Sequence, residues 1–175
     1  GLESGIQALG LNCALTIAGG VKCWGYNGEG QVGDGTTTYR STPVDVSGLT
    51  SGVQAIATGR THNCALTTGG GAKCWGANGN GALGDGTYTN RLIPVDVSGL
   101  TSGVQSIAAG TGHTCAVTAT GGVKCWGWNS AGQLGDVTSD PYSLTPIDVN
   151  GLSSGVQSVA VGFGHTCALT MDGKV

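Results

Sequence analysis

Apolar and polar residues alternate over short stretches along the whole chain, and no stretch shows the three-to-four-residue apolar spacing of an amphipathic helix. Residues 64–67 (Cys-Ala-Leu-Thr) and 72–76 (Ala-Lys-Cys-Trp-Gly) are two such stretches, and three of the four residues between them are glycines. Two strand-forming segments joined by a short Gly-containing loop predict a β-hairpin.

Two further strands complete the predicted unit. Residues 53–57 (Val-Gln-Ala-Ile-Ala) precede the hairpin, and residues 94–97 (Pro-Val-Asp-Val) follow it after a long Gly-rich segment. Proline at the start of the last strand suits a first residue or a sheet edge. Four short strands in about 51 residues, with no helix, are typical of one blade of a β-propeller. A β-solenoid is the alternative, but its coils are usually shorter than this period.

The unit repeats along the chain. The hairpin that starts at Cys64 returns 51 residues later at Cys115, occurs 51 residues earlier at Cys13, and begins again at Cys167. Such a period indicates stacked units, each burying its apolar face against the next. The sequence therefore predicts an all-β propeller of four-stranded blades, with about three and a half blades in one repeat domain, residues 1–175. The expected repeats are 1–47, 48–98, 99–150 and a partial 151–175.

Two departures from the repeat are visible. The segment before Cys13 is four residues shorter than the segment before Cys64, so that the first repeat is either degenerate or lacks residues. The third repeat has one extra residue between Asp136 and Pro146, which places the variation in a loop. Three and a half blades do not close a ring. We therefore expect the remaining blades to come from the same parent chain, or else from a second copy, and favour the parent chain.

Six of the seven cysteines form pairs with one spacing. Pairing the hairpin strands symmetrically about Gly69 places Cys64 opposite Cys74, within the range of disulfide geometry. One disulfide per hairpin is thus predicted, and the partner of Cys167 would lie two positions beyond Val175. Disulfides imply an oxidising compartment, so we expect a secreted, extracellular or cell-surface protein. The predicted bonds are Cys13–Cys23, Cys64–Cys74 and Cys115–Cys125.

A metal site is the alternative interpretation of the cysteines. His62, Cys64 and Cys74 could share one face of the hairpin. Zinc usually takes four ligands, however, and no fourth ligand recurs in the repeats. A calcium site in the segment 27–34 lacks the required spacing of acidic ligands. No metal and no cofactor are therefore predicted.

Composition narrows the range of partners. Charged residues make up 10% of the chain, its net charge is −3, and the sequence contains no basic run. Nucleic-acid binding requires basic residues that neutralise phosphates, so DNA and RNA are not expected as partners. No apolar stretch approaches the roughly 20 residues of a membrane helix, so membrane insertion is not expected either.

The motifs resemble the repeat of the regulator-of-chromosome-condensation family. The third repeat carries them as Gly-x-x-His-x-Cys-Ala in residues 110–117, Gly-x-Val-x-Cys-Trp-Gly-x-Asn within 121–129, and Gly-Gln-Leu-Gly-Asp in 132–136. This resemblance covers essentially the whole chain and implies a propeller, commonly of seven blades. The version with paired cysteines resembles the secreted bacterial branch.

Residues that recur in every repeat are expected to serve the blade. The tryptophans are assigned to packing between blades, the histidines to buried hydrogen bonds with the adjacent loop backbone, and the Gly-Asp aspartates to capping of turn amides. None of these residues has a partner that differs between repeats, as a catalytic group would. They are Trp24, Trp75, Trp126, His62, His113, His165, Asp34, Asp85 and Asp136.

Positions that differ between repeats are the candidate binding residues. Exposed aromatic and arginine side chains are enriched at binding hot spots, and loops on a rigid repeat scaffold commonly carry recognition. Neutral drift at surface positions is the alternative explanation. The candidates are Tyr26, Trp128, Arg60, Phe163, Tyr39, Tyr88 and Tyr142.

The sequence therefore predicts a disulfide-linked propeller that acts as a binding or structural module for a protein or glycan ligand, and not an enzyme. An extracellular hydrolase or lyase that uses the His and Asp positions is one alternative. The family resemblance alone implies another, which is nucleotide exchange on a small GTPase or chromatin docking; fold by itself does not establish function.

Overall fold

The computed structural model describes residues 4–136 and 140–175, and the regular elements in these two ranges are all β-strands. In chain order the strands are β1 (Ile6–Leu9), β2 (Cys13–Thr16), β3 (Val21–Gly25), β4 (Arg40–Asp45), β5 (Val53–Thr58), β6 (His62–Thr67), β7 (Ala72–Gly76), β8 (Arg91–Asp96), β9 (Val104–Ala109), β10 (His113–Thr118), β11 (Val123–Trp128), β12 (Tyr142–Asp148), β13 (Val156–Val161) and β14 (Thr166–Thr170). No helix in the described ranges is long and apolar enough to cross a bilayer.

The strands form four antiparallel sheets in chain order. Three sheets have four strands each (β1–β4, β5–β8 and β9–β12), and the fourth consists of β13 and β14. The first strands of neighbouring sheets lie side by side, and the second strand of each sheet packs against the first strand of the next. Sheets stacked in this way around an axis are propeller blades. The structure thus confirms the predicted all-β class and the four-stranded blade, with about three and a half blades in the chain.

The register of each hairpin places its two cysteines opposite one another. Cys64 pairs with Cys74, and Asn63 with Trp75. A disulfide joins the cysteines of each pair, with Cα–Cα distances of 4.0 to 4.1 Å and both residues buried. Cys167 is exposed and is a free cysteine in the described part of the chain. The three bonds are Cys13–Cys23, Cys64–Cys74 and Cys115–Cys125.

The hydrophobic core lies between the sheets and not within any one of them. Trp75 of the second sheet packs into a cluster of residues from the first sheet, and Trp126 of the third sheet packs into the second. Both indoles are fully buried. Trp24 was predicted to pack in the same way but is partly exposed, because the first sheet has no described sheet on the side that its indole would contact.

The last strand of each blade begins earlier than predicted. β8 starts at Arg91, so Pro94 lies inside the strand and not at its first residue. The register between β7 and β8 is irregular at this point, since Cys74 faces Val95 while Gly76 faces Arg91. Proline is tolerated there because β8 is the outermost strand, where a missing N–H costs no ladder hydrogen bond. The predicted extra residue of the third repeat falls in a loop of which residues 137–139 lie outside the described residues.

Candidate functional site

The connections between strands divide each blade into two ends. In an antiparallel sheet of sequential strands, the loop from strand one to strand two and the loop from strand three to strand four lie at the same end. We call this end the loop face. It consists of the short loops 10–12, 59–61, 110–112 and 162–165, the long loops 26–39 and 77–90, and the described residues 129–136 and 140–141 of the third long loop. The tight turns between the second and third strands lie at the opposite end.

All seven candidate binding residues lie at the loop face. Arg60 and Phe163 belong to short loops, and Tyr26, Tyr39 and Tyr88 belong to long loops. All five are exposed, with 67% of Tyr26 and 63% of Phe163 accessible to solvent. The other two differ from the prediction in position, because Trp128 is the last residue of β11 and Tyr142 is the first residue of β12.

Four of the candidates form two aromatic pairs across blade boundaries. The rings of Tyr88 and Tyr142 are perpendicular, with centroids 6.3 Å apart. Trp128 and Phe163 make a similar edge contact at 6.0 Å, and Trp128 is partly buried. Edge-to-face contacts of this kind add about 0.5–1.5 kcal/mol beyond area burial and hold the rings in a defined orientation. Tyr26, Tyr39 and Arg60 are not part of either pair.

A buried asparagine organises each long loop. The Oδ1 atom of Asn27 accepts a hydrogen bond from the Val32 amide at 2.9 Å, and its Nδ2 atom donates to the carbonyls of Thr36 and Thr38 at 2.9 and 3.1 Å. The same Nδ2 atom lies 3.3 Å from the carboxylate of Asp34. Asn78 and Asn129 make equivalent contacts in the second and third blades. An amide NH₂ group therefore lies among the oxygens where the calcium interpretation would have required a cation.

The aspartates of the Gly-Asp turns cap loop amides as predicted and also form ion pairs. Asp34 accepts from the Thr36 amide at 3.0 Å and from Arg40 Nε at 2.5 Å. Burial alone would raise the pKa of Asp34, but the hydrogen bonds from Thr36 and the guanidinium of Arg40 lower that pKa below its ordinary value. Asp85 is held in the same way by Thr87 and Arg91. Arg40 and Arg91, which accompany the loop tyrosines, are therefore engaged within their own loops.

Two of the three histidines form hydrogen bonds with the neighbouring blade. The prediction that they bond to the adjacent loop backbone was therefore wrong for these two. His62 Nε2 lies 2.8 Å from the Thr114 hydroxyl, which itself donates to the Ala82 carbonyl at 2.8 Å. Because the hydroxyl proton is used there, Nε2 of His62 must carry a proton and act as the donor. His113 contacts Thr166 in the same arrangement, at 3.0 Å. His165, in contrast, is exposed.

Burial keeps these two imidazoles neutral. Desolvation lowers the pKa of His62 to about 4, and the neighbouring His113 contributes in the same direction. The pKa of His113 is likewise lowered to about 4 by burial and by His165. Their Nδ1 atoms are buried without a hydrogen-bond partner in the described chain. Neither ring is placed as an accessible acid or base.

The metal interpretation of the hairpins is not supported by this geometry. Cys64 and Cys74 are joined in a disulfide, so neither sulfur is available as a thiolate, and His62 is turned toward Thr114. Within residues 4–136 and 140–175, no three His, Cys, Asp or Glu side chains are grouped closely enough to hold a metal ion.

Close backbone contacts join the short loops around the inner ends of the blades. The Arg60 amide donates to the Gly110 carbonyl at 3.2 Å. A Cβ atom at Gly59 would lie 2.3 Å from that same carbonyl oxygen, and one at Gly110 would lie 2.5 Å from the Gly162 oxygen. Only glycine permits this approach. A cavity of about 290 Å³ lies beside these loops, with Leu11 and Arg60 in its wall.

Sequence reasoning assigned no role to the long-loop asparagines or to Thr114 and Thr166. The asparagines could have been found, because one follows every Trp-Gly-x motif. The threonines carried a weaker signal, since the second blade has Asn63 at the equivalent position. Asn63 donates to the Gln31 carbonyl at 2.9 Å, as Thr114 does to Ala82.

Comparison with known proteins agrees with this architecture. The family model described as the regulator of chromosome condensation (RCC1) repeat matches residues 18–66, 74–117 and 120–169. A second model of the same description matches residues 53–82 and 104–133. The ultraviolet-B receptor UVR8 of Arabidopsis thaliana is 34% identical over 166 residues, which cover 93% of this chain and 37% of UVR8.

Solved structures show the same fold. Human WBSCR16 matches with a TM-score of 0.83 and 25% identity, over 98% of this chain and 46% of that one. Yeast RCC1 (Prp20), solved with Kap60 bound, matches with a TM-score of 0.76 over 95% of this chain and 44% of that one, and its 22% identity supports the fold alone. The chain thus spans less than half the length of each of these three proteins.

Proposed function

Because this chain belongs to the regulator of chromosome condensation (RCC1) repeat family, we propose that it is a protein-binding propeller module whose loop face contacts the partner. The observation that carries the proposal is that all seven variable candidate residues lie at one end of the sheets. The yeast relative solved with Kap60 bound is consistent with protein binding on this scaffold. A glycan ligand is the competing possibility at the same face.

The loop face suits binding because the backbones of its loops are held by hydrogen bonds and ion pairs while its exposed side chains vary between repeats. The asparagine at the base of each long loop and the Asp–Arg pairs fix the loop backbones. Rigid loops lose little entropy when they bind, so that more of the contact energy contributes to affinity. The two aromatic pairs supply ring surfaces whose orientation is already fixed.

We propose further that the protein works in an oxidising compartment, at the cell surface or outside the cell. Three hairpin disulfides support this location, because such bonds persist where thiols are not kept reduced. Alkylation of unreduced natural protein followed by intact-mass measurement tests the proposal. We expect the six hairpin cysteines to be protected, and labelling of all six would refute it. The same mass reports how many further blades the parent protein holds; we propose a ring of seven.

The test of the loop face is a comparison of two sets of variants. One carries Tyr88→Ala, Tyr142→Ala, Trp128→Ala and Phe163→Ala, and the control carries Ile17→Ala and Met171→Ala, which are exposed residues toward the opposite end. Immobilised proteins are incubated with culture medium from the producing cells and, in parallel, with a glycan array. We expect a protein captured by the wild type and the control to be lost from the four-residue variant, which remains folded although the loss of its two ring contacts lowers its thermal midpoint by several degrees.

Other outcomes separate the alternatives. Equal capture by both variants would refute the loop face as the binding site. Aromatic-dependent signals confined to the glycan array would replace the protein partner with a glycan. The hydrolase or lyase alternative gains no support from the site, because His62 and His113 are buried and Asp34 and Asp85 are held in ion pairs.

A further inference from the structure

Arg60 differs from the other basic residues of the chain. Of the seven lysines and arginines, six form ion pairs with aspartates at 2.5 to 2.7 Å. Arg60 forms no ion pair with any described residue, and it is exposed in the short loop between β5 and β6. The N–H donors of its guanidinium are therefore available to another molecule.

The backbone that carries Arg60 is held from both sides. Arg60 belongs to the second blade, which has a described blade on each side. Its amide donates to the Gly110 carbonyl of the third blade at 3.2 Å. On the other side, the Leu11 amide of the first blade donates to the Thr58 hydroxyl of β5 at 2.8 Å. The guanidinium thus extends from a fixed base.

The repeat changes at this position in every blade. The residue equivalent to Arg60 is Thr111 in the third blade and Phe163 in the fourth. In the first blade the segment is shorter, and β1 has four residues where β5 and β9 have six. As a result, Arg60 is the one lysine or arginine in the four short loops, which are residues 10–12, 59–61, 110–112 and 162–165.

The cavity beside Arg60 combines hydrogen-bond donors with an apolar wall. Thr58 and Thr111 contribute hydroxyl groups, and Leu11, Ala109 and Val161 contribute apolar surface. No acidic residue is among the described residues that line it. Its volume of about 290 Å³ lies at the lower end of the range of small-molecule pockets, roughly 300–1,000 Å³. The cavity therefore suits one inserted side chain better than a complete ligand.

The charge of the cavity favours a carboxylate. Two parallel N–H groups of a guanidinium match the two oxygens of a carboxylate in a bidentate contact. Phosphorylated segments and nucleic acids carry more negative charge and are usually bound by several basic residues together. Arg60 has no second lysine or arginine beside it among the described residues of the cavity wall.

We propose that the cavity beside Arg60 receives an acidic side chain, Asp or Glu, of the partner protein. The guanidinium binds the carboxylate, and the Thr111 hydroxyl offers a further donor. Leu11 and Val161 contact the methylene groups of the inserted side chain. This inference rests on the proposed function, because it names the chemistry by which a partner is recognised at the loop face.

The experiment selects peptides from a random library of displayed twelve-residue sequences against the immobilised 175-residue chain, and calorimetry then measures the affinity of each selected peptide. We expect the selected peptides to share an Asp or Glu at one position. Replacement of that acid by Asn or Gln should weaken binding at least about tenfold, because a hydrogen-bonded charge is lost. A selection that enriches no peptide, or enriches peptides without a shared acid, would overturn the proposal.

Variants of the protein test the role of Arg60 itself. Arg60→Met keeps most of the side-chain length and should weaken binding of a selected peptide at least about tenfold. Arg60→Glu should abolish binding, and a peptide with Lys in place of its acid should bind this variant better than it binds the wild type. Lys73→Met is the matched control, since it removes a positive charge from an exposed ion pair and should bind like the wild type. Thermal midpoints check that each variant is folded.

The outcomes separate this proposal from the loop face as a whole. Peptides that bind Arg60→Met as tightly as the wild type but do not bind the four-residue aromatic variant would overturn the acidic site and leave the loop face as the binding surface. Peptides that neither change affects would count against both. Binding that becomes at least tenfold tighter when phosphoserine replaces the acid would overturn the carboxylate in favour of a phosphate.

Discussion

Two regions of the molecule differ in how much they vary from repeat to repeat. The blade boundaries keep the same contacts, whereas the loop face does not. At the boundaries the same contact recurs from blade to blade, as when Trp75 donates to the Gln31 carbonyl and Trp126 to the Ala82 carbonyl, both at 2.9 Å. At the loop face the residue after Trp-Gly changes from Tyr26 to Ala77 to Trp128. Packed interiors constrain the size and shape of each side chain, whereas exposed loop positions are free to vary. Changes at the boundary should therefore cost much stability, and changes at the loop face should cost little stability and mainly affect binding.

The largest difference is expected between two tryptophans that lie two residues apart. Trp126→Ala removes a fully buried indole at a blade boundary and should lower the free energy of unfolding by about 3–5 kcal/mol. Trp128→Ala, at the loop face, should cost at most about 1 kcal/mol. Urea unfolding followed by circular dichroism measures both values. Similar losses for the two variants would contradict the proposed difference in stability between the blade boundary and the loop face.

The boundary should also make stability depend on pH. The folded pKa of His62 and His113 is about 4, whereas the unfolded value is near 6.5. The unfolded chain therefore takes up protons at higher pH than the folded chain, so that stability is fully present above pH 6.5 and falls as the pH drops toward 4.

His62→Leu isolates this contribution, because Leu11 stands two residues before its cysteine in the first blade just as His62 does in the second. Between pH 7 and pH 4.5 the wild type should lose about 2 kcal/mol more than the variant, measured by urea unfolding at each pH. Parallel pH profiles for the two proteins would show that His62 is not the titrating group.

A smaller loss is expected where backbones meet at the inner ends of the blades. Gly59→Ala introduces a Cβ atom 2.3 Å from the Gly110 oxygen and should destabilise the protein by about 1–3 kcal/mol. Gly79→Ala is the matched control, because no atom lies within 4 Å of its Cβ position and its backbone φ is not positive. It should change the unfolding free energy by less than about 0.5 kcal/mol. A comparable loss of stability at both glycines would show that contact with the Gly110 oxygen is not its cause.

The smallest effect is expected for an exposed contact that recurs in the three four-stranded blades. Lys73 and Asp96 form an ion pair at 2.6 Å, with 58% of the Asp96 side chain accessible. Lys73→Met should cost less than about 1 kcal/mol, because water and salt screen the pair, and the difference should shrink further at 1 M salt. A loss above 2 kcal/mol in the free energy of unfolding would show that a contact repeated between blades stabilises the protein strongly even when it is exposed.

The blade architecture could be predicted because it depends on local signals. The alternation in residues 64–67 and 72–76 and the glycines between them determine a hairpin, and the hairpin register places Cys64 opposite Cys74. The partner of His62 could not be predicted in this way. Thr114 lies 52 residues away in the next blade, and nothing near His62 in the sequence distinguishes that hydroxyl from a loop carbonyl.

The candidate site was predicted only in part. The variable positions were identified because they break the repeat, but the pairing of Tyr88 with Tyr142 and of Trp128 with Phe163 depends on how neighbouring blades are placed. The ion pair between Arg40 and Asp34 was also not predicted from the sequence. Six residues separate them in the sequence, and only the folded loop brings the two side chains together.

By itself the sequence determined the repeated hairpin, the cysteine register and the positions that vary, because these follow from side-chain alternation and turn chemistry within about 50 residues. The tertiary structure alone decided which residues meet across blades, which tryptophan is buried, and that all the variable positions share one face. Those features depend on the packing of one sheet against the next, and packing joins residues whose separation along the chain carries no local signal.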